Sequence, residues 1–280
     1  MTSIAERCTP PTEPLWQRHA RQWARIKPPL RPAGEDLVWA QEIVDRHGRA
    51  GMTVGILGVT PELARLSWPA HTRLLAMDYS MPMVRGVWPT DHPPTLRPQA
   101  ILGNWLNLPL ADRGCDMVLG DGCYVLLNAS QPPLLNREVR RVLRPGGLFV
   151  IRVFIRPDVD ESPEQVWNDL TAGRIGNFHI FKFRLLMSLR RNNGEVHVAD
   201  ACAFFDSHCD DHESLAADLN WDVDEIRTIE AYRNQPAIYW YPTLGEFREM
   251  ARPHFHEIRC DWPTYEMGDR CPTFVLQARY

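Results

Sequence analysis

The chain has 280 residues, 44% hydrophobic and 24% charged, the balance of an ordinary globular protein. Its net charge of −4 withholds the basic surface that non-specific nucleic-acid binding needs. No apolar run approaches the roughly 18 residues required to span a bilayer, and the first residues, with Glu6, Arg7 and several prolines, lack a signal-peptide core, so a cytosolic protein is expected.

In chain order, residues 1–14 read as a loose, proline-rich start. From Leu15 to Ile26, Trp16, Ala20, Trp23 and Ile26 recur at helical spacing, and Pro28 and Pro29 stop that helix. A second helix is predicted from about Gly34 to His47, with Leu37, Val38, Ala40, Ile43 and Val44 as its apolar stripe and glycines 48 and 51 beyond it. Strands are then expected at Thr53–Leu57, Arg73–Met77, Ala100–Gly103, Asp116–Leu119 and Leu148–Phe154, with helices at Pro61–Ser67, Pro82–Val87 and Pro133–Leu143 between them. Short, nearly continuous apolar runs suit strands covered on both faces, and their alternation with helices predicts a parallel sheet with right-handed crossovers. Residues 157–240 break the rhythm. They hold helical stretches at Gln165–Thr171 and Phe178–Arg190, a turn at Asn192-Asn193-Gly194 and an acidic tract from Asp206 to Asp224. A helix near Thr243–Ala251 and strands at His256–Trp262 and Thr273–Tyr280, joined around Met267-Gly268-Asp269, close the chain.

The stretch T-V-G-I-L-G-V-T-P-E-L, Thr53 to Leu63, reads as a buried strand, a turn at Gly58 and a helix start at Pro61. Proline suits the first helical position because its missing N–H costs nothing there. Such a turn presents backbone N–H groups to a polar or anionic ligand, although G-x-G-x-x-G is absent. Further on stand L-L-A-M-D-Y-S-M-P-M-V with Asp78 at its strand end, then I-L-G-N-W-L-N-L-P-L-A-D-R-G-C-D-M-V-L-G-D-G, then E-V-R-R-V-L-R-P-G-G-L-F-V-I with the Arg144-Pro145-Gly146-Gly147 turn.

These four pieces, in this order, resemble the class I S-adenosylmethionine-dependent methyltransferases over roughly residues 30–156 and 243–280. The resemblance implies an α/β fold: a Rossmann-like, seven-stranded, mostly parallel sheet with a closing antiparallel strand pair. Residues 1–33 would form a helical N-terminal lid, 34–156 and 241–280 the core, and 157–240 an insertion or cap over the substrate pocket. It also implies S-adenosylmethionine as cofactor and S-adenosylhomocysteine as product. Gly58, Thr60, Pro61 and Glu62 then belong to the cofactor loop, and Asp78, with Tyr79 beside it, to the ribose. A carboxylate about 20 residues past the first turn can accept from both ribose hydroxyls, whereas the plainer reading of Asp78 is a cap for the helix starting near Ser80. Met83 falls near the adenine edge. Asn104 and Trp105 stand where the family usually has an acid for the adenine amino group; Trp105 is alternatively plain core. Asp121 and Gly122 fall where the family faces the methyl donor and acceptor, or form a simple turn.

The departures lie in the loop. Ile56 stands where family members carry an acid, and Thr60 and Glu62 replace the second and third glycines. Glu62 is a candidate for the ammonium of the methionine moiety, or a surface residue favourable at a helix start. Arg31, in the stiff Pro28-Pro29-Leu30-Arg31-Pro32 turn, is a candidate for its carboxylate, or a solvated linker residue. His19 and Trp23 join Arg31 as lid candidates, and Asp121, Tyr124 and His19 are candidates for a general base.

Seven cysteines (Cys8, Cys115, Cys123, Cys202, Cys209, Cys260 and Cys271) make an odd set without a C-x-x-C pair, which argues for reduced thiols. The crowd of Cys202, Asp206, His208, Cys209, Asp210, Asp211 and His212 matches no familiar zinc spacing and reads as a solvated acidic loop, so no metal is expected. Ten tryptophans hint at an aromatic-lined cavity. The expected activity is methyl transfer to a small-molecule acceptor, with no nucleic-acid or membrane partner. The alternatives are a non-catalytic binding or scaffold protein on the same fold and a nicotinamide dehydrogenase. The missing glycines and the closing strand pair count against the dehydrogenase.

Overall fold

The computed structural model describes residues 13–280. Cys8 and most of the proline-rich start lie outside the described residues. The strands are β1 (Thr53–Leu57), β2 (Arg73–Asp78), β3 (Arg97–Leu102), β4 (Cys115–Asp121), β5 (Leu143–Arg152), β6 (Glu195–His197), β7 (Ile238–Trp240), β8 (Phe255–Asp261) and β9 (Thr273–Ala278). Seven of them form one sheet in the order β3-β2-β1-β4-β5-β9-β8. β3, β2, β1, β4 and β5 run parallel, and β9 is antiparallel to both β5 and β8. This is the expected mostly parallel sheet with its closing antiparallel pair.

Strand periodicity explains why the sheet is buried on both sides. Ile56, Leu74, Ala76, Met117 and Leu119 point into one apolar cluster with Ile43 and Val44 of the helix Gly34–His47. Their alternate neighbours Leu57, Leu75, Met77 and Val118 point into a second cluster with Leu135, Val139 and Phe247. Successive side chains of a strand face opposite ways, so a run apolar at every position demands cover on both faces. Residues between 157 and 240 contribute most of a third cluster, around Phe178, Phe181, Phe183, Phe205 and Tyr232.

Several boundaries differ from the predicted ones. The first helix covers only Leu15–Arg21 and continues as a 3-10 turn at Trp23–Arg25. The helix after β1 is a single turn, Pro61–Ala64. The acidic tract is helical over Val198–His208, His212–Leu219 and Val223–Ile226, not a loop. Two of its aspartates explain why: Asp211 accepts from the N–H groups of Glu213 and Ser214, and Asp222 from that of Asp224. Side-chain caps of this kind satisfy the otherwise unpaired N–H groups of a helix start. No helix of the described residues is long and apolar enough to cross a membrane.

Candidate active site

β1 is where the strand order reverses, with β2 on one side and β4 on the other. A crevice opens beyond the carboxyl ends of strands at such a point, the usual ligand position in open α/β sheets. Here the register sets Leu57 beside both Met77 and Gly120, so the residues following these three strands emerge together. A cavity enclosing about 970 Å³ of space, part of it open to solvent, lies there. Gly58, Val59 and Thr60 after β1, Asp78 and Tyr79 at the end of β2, and Asp121 and Gly122 at the end of β4 form its sheet side. Trp16, His19 and Trp23 from the N-terminal helical region and Lys182, Tyr232, Tyr239 and Tyr241 close the opposite side.

The turn at Gly58 has φ +88, a conformation that costs glycine little and other residues much. A methyl group built on Gly58 would lie 3.7 Å from the Trp105 ring and 3.9 Å from Asp78 Oδ2. The bare glycine therefore keeps open a slot between an indole and a carboxylate. Asp78 accepts from the Ser80 N–H at 2.8 Å, while the Ser80 hydroxyl takes up the cap of the helix Met81–Gly86. The helix cap is thus Ser80, and Asp78 remains on the cavity wall without a salt-bridge partner among the described residues. Burial pushes its carboxyl up to about 6, against the opposing pull of the Ser80 and Tyr79 N–H groups. Met83 is buried in the same wall, and Trp105 is both wall and core, its Nε1 donating to the Met77 carbonyl at 2.6 Å.

Asp121 faces the cavity but is committed elsewhere: Arg152 Nε donates to it at 2.6 Å. Arg152 is buried, and its Nη1 also reaches Tyr265 Oη at 3.0 Å and Asp36 at 3.4 Å. Burial works against the Arg152 charge, yet Asp121 and the groups around it hold its pKa well above the ordinary value. A carboxylate gripped by a guanidinium is held in a fixed position. Gly122 turns the chain with φ +61, and a methyl there would lie 2.7 Å from Phe154, so only glycine fits.

Five sequence-level candidates stand away from the cavity. Tyr124 is fully buried on the other side of the sheet, where it donates to Asn136 Oδ1 and packs edge-on against Phe247. The left-handed turn at Gly122 swings the following 3-10 turn, Cys123–Leu126, so that this ring enters the core. Asn104 spends its side-chain oxygen on the Leu106 N–H, closing its own turn. Pro61 is buried in the one-turn helix and is no part of the lining. Arg31 and Glu62 pair with each other: Arg31 Nε donates to Glu62 Oε1 at 2.7 Å, and Arg31 Nη1 donates to the Trp23 carbonyl at 2.9 Å. That pair borders a separate groove.

His19 does reach the cavity, but burial, with the Lys182 charge beside it, lowers its pKa to about 3. A histidine held neutral in that way can donate or accept a hydrogen bond but is a weak base. Cys202, Asp206 and Glu230 come within 4.8 Å of one another, and Arg233 bonds both carboxylates. His208 stacks on Phe204 with ring centroids 4.1 Å apart. Sequence reasoning missed Trp16, Phe154, Lys182, Tyr232, Tyr239 and Tyr241 as lining residues. The surplus of tryptophan was the one available signal, and it named no position.

Comparison with known proteins is consistent with this geometry. The sequence profile of a family described as a methyltransferase domain matches residues 54–151, from β1 to β5. Over that stretch, about a third of the chain, this protein is similar to the methyltransferase domain family. No curated protein matches it. Among solved structures, a Haloferax volcanii candidate methyltransferase in complex with the Trm112 methyltransferase activator is 16% identical. The two align over 95% of each chain with a TM-score of 0.51. The PH0226 protein of Pyrococcus horikoshii aligns over 92% of this chain and 99% of its own at 12% identity and a TM-score of 0.52. A Rhodobacter sphaeroides protein described as a candidate Zn-dependent alcohol dehydrogenase is 13% identical over 94% of this chain and 98% of its own, with a TM-score of 0.55. At such identities these likenesses concern the fold alone.

Proposed function

We propose that this methyltransferase domain binds S-adenosylmethionine at the sheet side of the cavity and methylates a small molecule held at its helical side. One observation carries the reading: Asp78 is a buried carboxylate on the wall of the cavity, next to a glycine slot, with no cation among the described residues to balance it. Such a group is costly unless a ligand supplies hydrogen bonds. Ribose hydroxyls are donors of the right kind, and Asp78 lies at the position where the family resemblance puts them. Trp105 and Met83 offer apolar faces for an adenine. Thr60, Tyr79 and Gly122 complete the rim, and Asp121, fixed by Arg152, lines the same cavity. When bound, the cofactor supplies an electrophilic methyl group on a sulfonium. What the chain supplies is closeness and alignment of the two reactants, the exclusion of water by aromatic walls, and the fixed Asp121 charge. Domain boundaries are part of the same proposal: residues 1–33 form the lid, 34–156 with 241–280 the core, and 157–240 the cap. A cytosolic location, to be checked by cell fractionation, fits the six free cysteines of the described residues.

The test is calorimetric titration of the purified protein with S-adenosylhomocysteine, which is expected to give saturable binding. A folded protein that shows no heat would sink the assignment. A second reading, a binding module on the same fold, draws on the Arg31–Glu62 pair, since each is the other's partner rather than a ligand's. It predicts that same null titration.

A further inference from the structure

Lys182 sits in the helix Phe178–Ser188, whose other members Phe178, Phe181, Phe183 and Leu185 are fully buried. It is itself fully buried, yet it borders the cavity. Its ammonium donates to Thr228 Oγ1 at 2.9 Å and lies 5.4 Å from the centre of the Tyr232 ring. Thr228 in turn donates to the Glu225 carbonyl, so it is a true acceptor for the lysine. An ammonium has three donors, and among the described residues this one has a single neutral oxygen as partner. The nearby Glu225 carboxylate is taken by Lys27, and no carboxylate of the described residues pairs with Lys182. Burial accordingly lowers the Lys182 pKa to about 7. A second polar group meets the same place. His19 is buried, its ring lies 5.8 Å from that of Tyr232, and its Nδ1 has no hydrogen-bond partner among the described residues. Trp16, Tyr232, Tyr239, Tyr241 and Phe154 supply flat apolar walls around the two.

A cation buried without a counter-charge, beside an unpartnered imidazole nitrogen, is unfavourable in the empty protein and becomes favourable when an anionic acceptor arrives. Aromatic walls select a flat ring. We propose that the methyl acceptor is a planar aromatic molecule carrying an acidic hydroxyl, bound as its phenolate with the oxygen on Lys182 Nζ. This deepens the proposed function and rests on its placing of the acceptor at the helical side. Lys182 is then the specificity-determining residue, and His19 supplies a second hydrogen bond to the ring substituents.

The probes are 4-nitrophenol, whose phenolate is coloured and reports its own ionisation, and 4-nitroanisole, which has the same ring and cannot ionise. Each is titrated into the full chain with S-adenosylhomocysteine present, over a pH series spanning the Lys182 value of about 7, because phenolate on protonated Lys182 and phenol on neutral Lys182 give the same ion pair. The wild type is expected to prefer the phenolate by at least about tenfold, the share of one charge-assisted hydrogen bond. Lys182→Met is expected to remove that preference while S-adenosylhomocysteine still binds. Equal binding of the two probes, no saturable binding of either, or an undiminished preference in Lys182→Met would each overturn the proposal. Should Lys182→Met not fold, Lys182→Gln keeps a polar group against Thr228 and gives the same comparison. A phenolate preference that survives without S-adenosylhomocysteine binding would retain the anion site and remove the cofactor assignment.

Discussion

The sheet side of the cavity takes Gly58, Asp78, Asp121 and Gly122 from the ends of three adjacent parallel strands, whereas the helical side takes Lys182, Tyr232, Tyr239 and Tyr241 from separate stretches of chain. The first set is aligned by strand register, since Leu57 pairs with Met77 and Gly120. The second is aligned by apolar packing within a cluster to which residues 157–240 contribute most of the side chains. The side chains also differ in sign: Asp78 and Asp121 stand at the sheet side, and Lys182, which has no carboxylate partner among the described residues, at the helical side. Residues placed by backbone pairing inherit their positions from the fold, and residues placed by side-chain packing are free to change with the ligand. This division suits a cavity with one constant ligand and one particular ligand.

The largest expected break of this comparison is Asp78→Ala. S-adenosylhomocysteine affinity should fall at least about tenfold in calorimetry, the loss of one or two hydrogen bonds to a charged acceptor. An unchanged affinity would detach the sheet side from the ribose. Next is pH. Asp78 has a folded pKa raised from 3.8 to about 6, so it is charged above pH 6 and protonated below. Ligand hydroxyls favour the charged form. Affinity for S-adenosylhomocysteine should therefore be level above that pH and decline below it, by up to about tenfold per pH unit. The unliganded protein follows the opposite sign at this group, being relieved of a buried charge as pH falls through 6 toward 3.8. Asp78→Asn should flatten the affinity profile, and a decline that persists in that variant would move the titrating group elsewhere. The smallest expected effect on the site is that of Tyr124→Phe. Removing the hydroxyl that bonds Asn136 in the core should cost about 1–3 kcal/mol of stability in urea denaturation while leaving S-adenosylhomocysteine affinity within experimental error. A loss of affinity there would return Tyr124 to the site.

Much of the sheet was legible before any coordinates. The strand Thr53–Leu57 and the helix Gly34–His47 occur with the predicted ends, because one is a continuous apolar run closed by a glycine and the other an amphipathic stripe closed by a glycine. Asp78 was legible for a related reason: a polar residue ending an apolar strand sits at the carboxyl end of the sheet, here on the wall of the cavity. Tyr124 and Asn104 looked equally well placed and were not, since a left-handed turn redirected one ring and a local hydrogen bond consumed the other amide. Arg31 and Glu62 were each read as a contact for an external ion, and the fold gave them to each other.

What the amino-acid order alone determined is the parallel sheet, its glycine turn and the carboxylate at the end of β2, all products of local periodicity and short-range turn chemistry. Tertiary structure decided which polar groups remain unpaired. Lys182 reads in the sequence as one cation among several on a mixed helix, with Arg184, Arg190 and Arg191 close by. Only packing shows that Arg184 and Arg190 meet carboxylates while Lys182 faces a cavity with a threonine for company. Whether a charge is spent or available depends on partners distant in sequence, and periodicity carries no information about them.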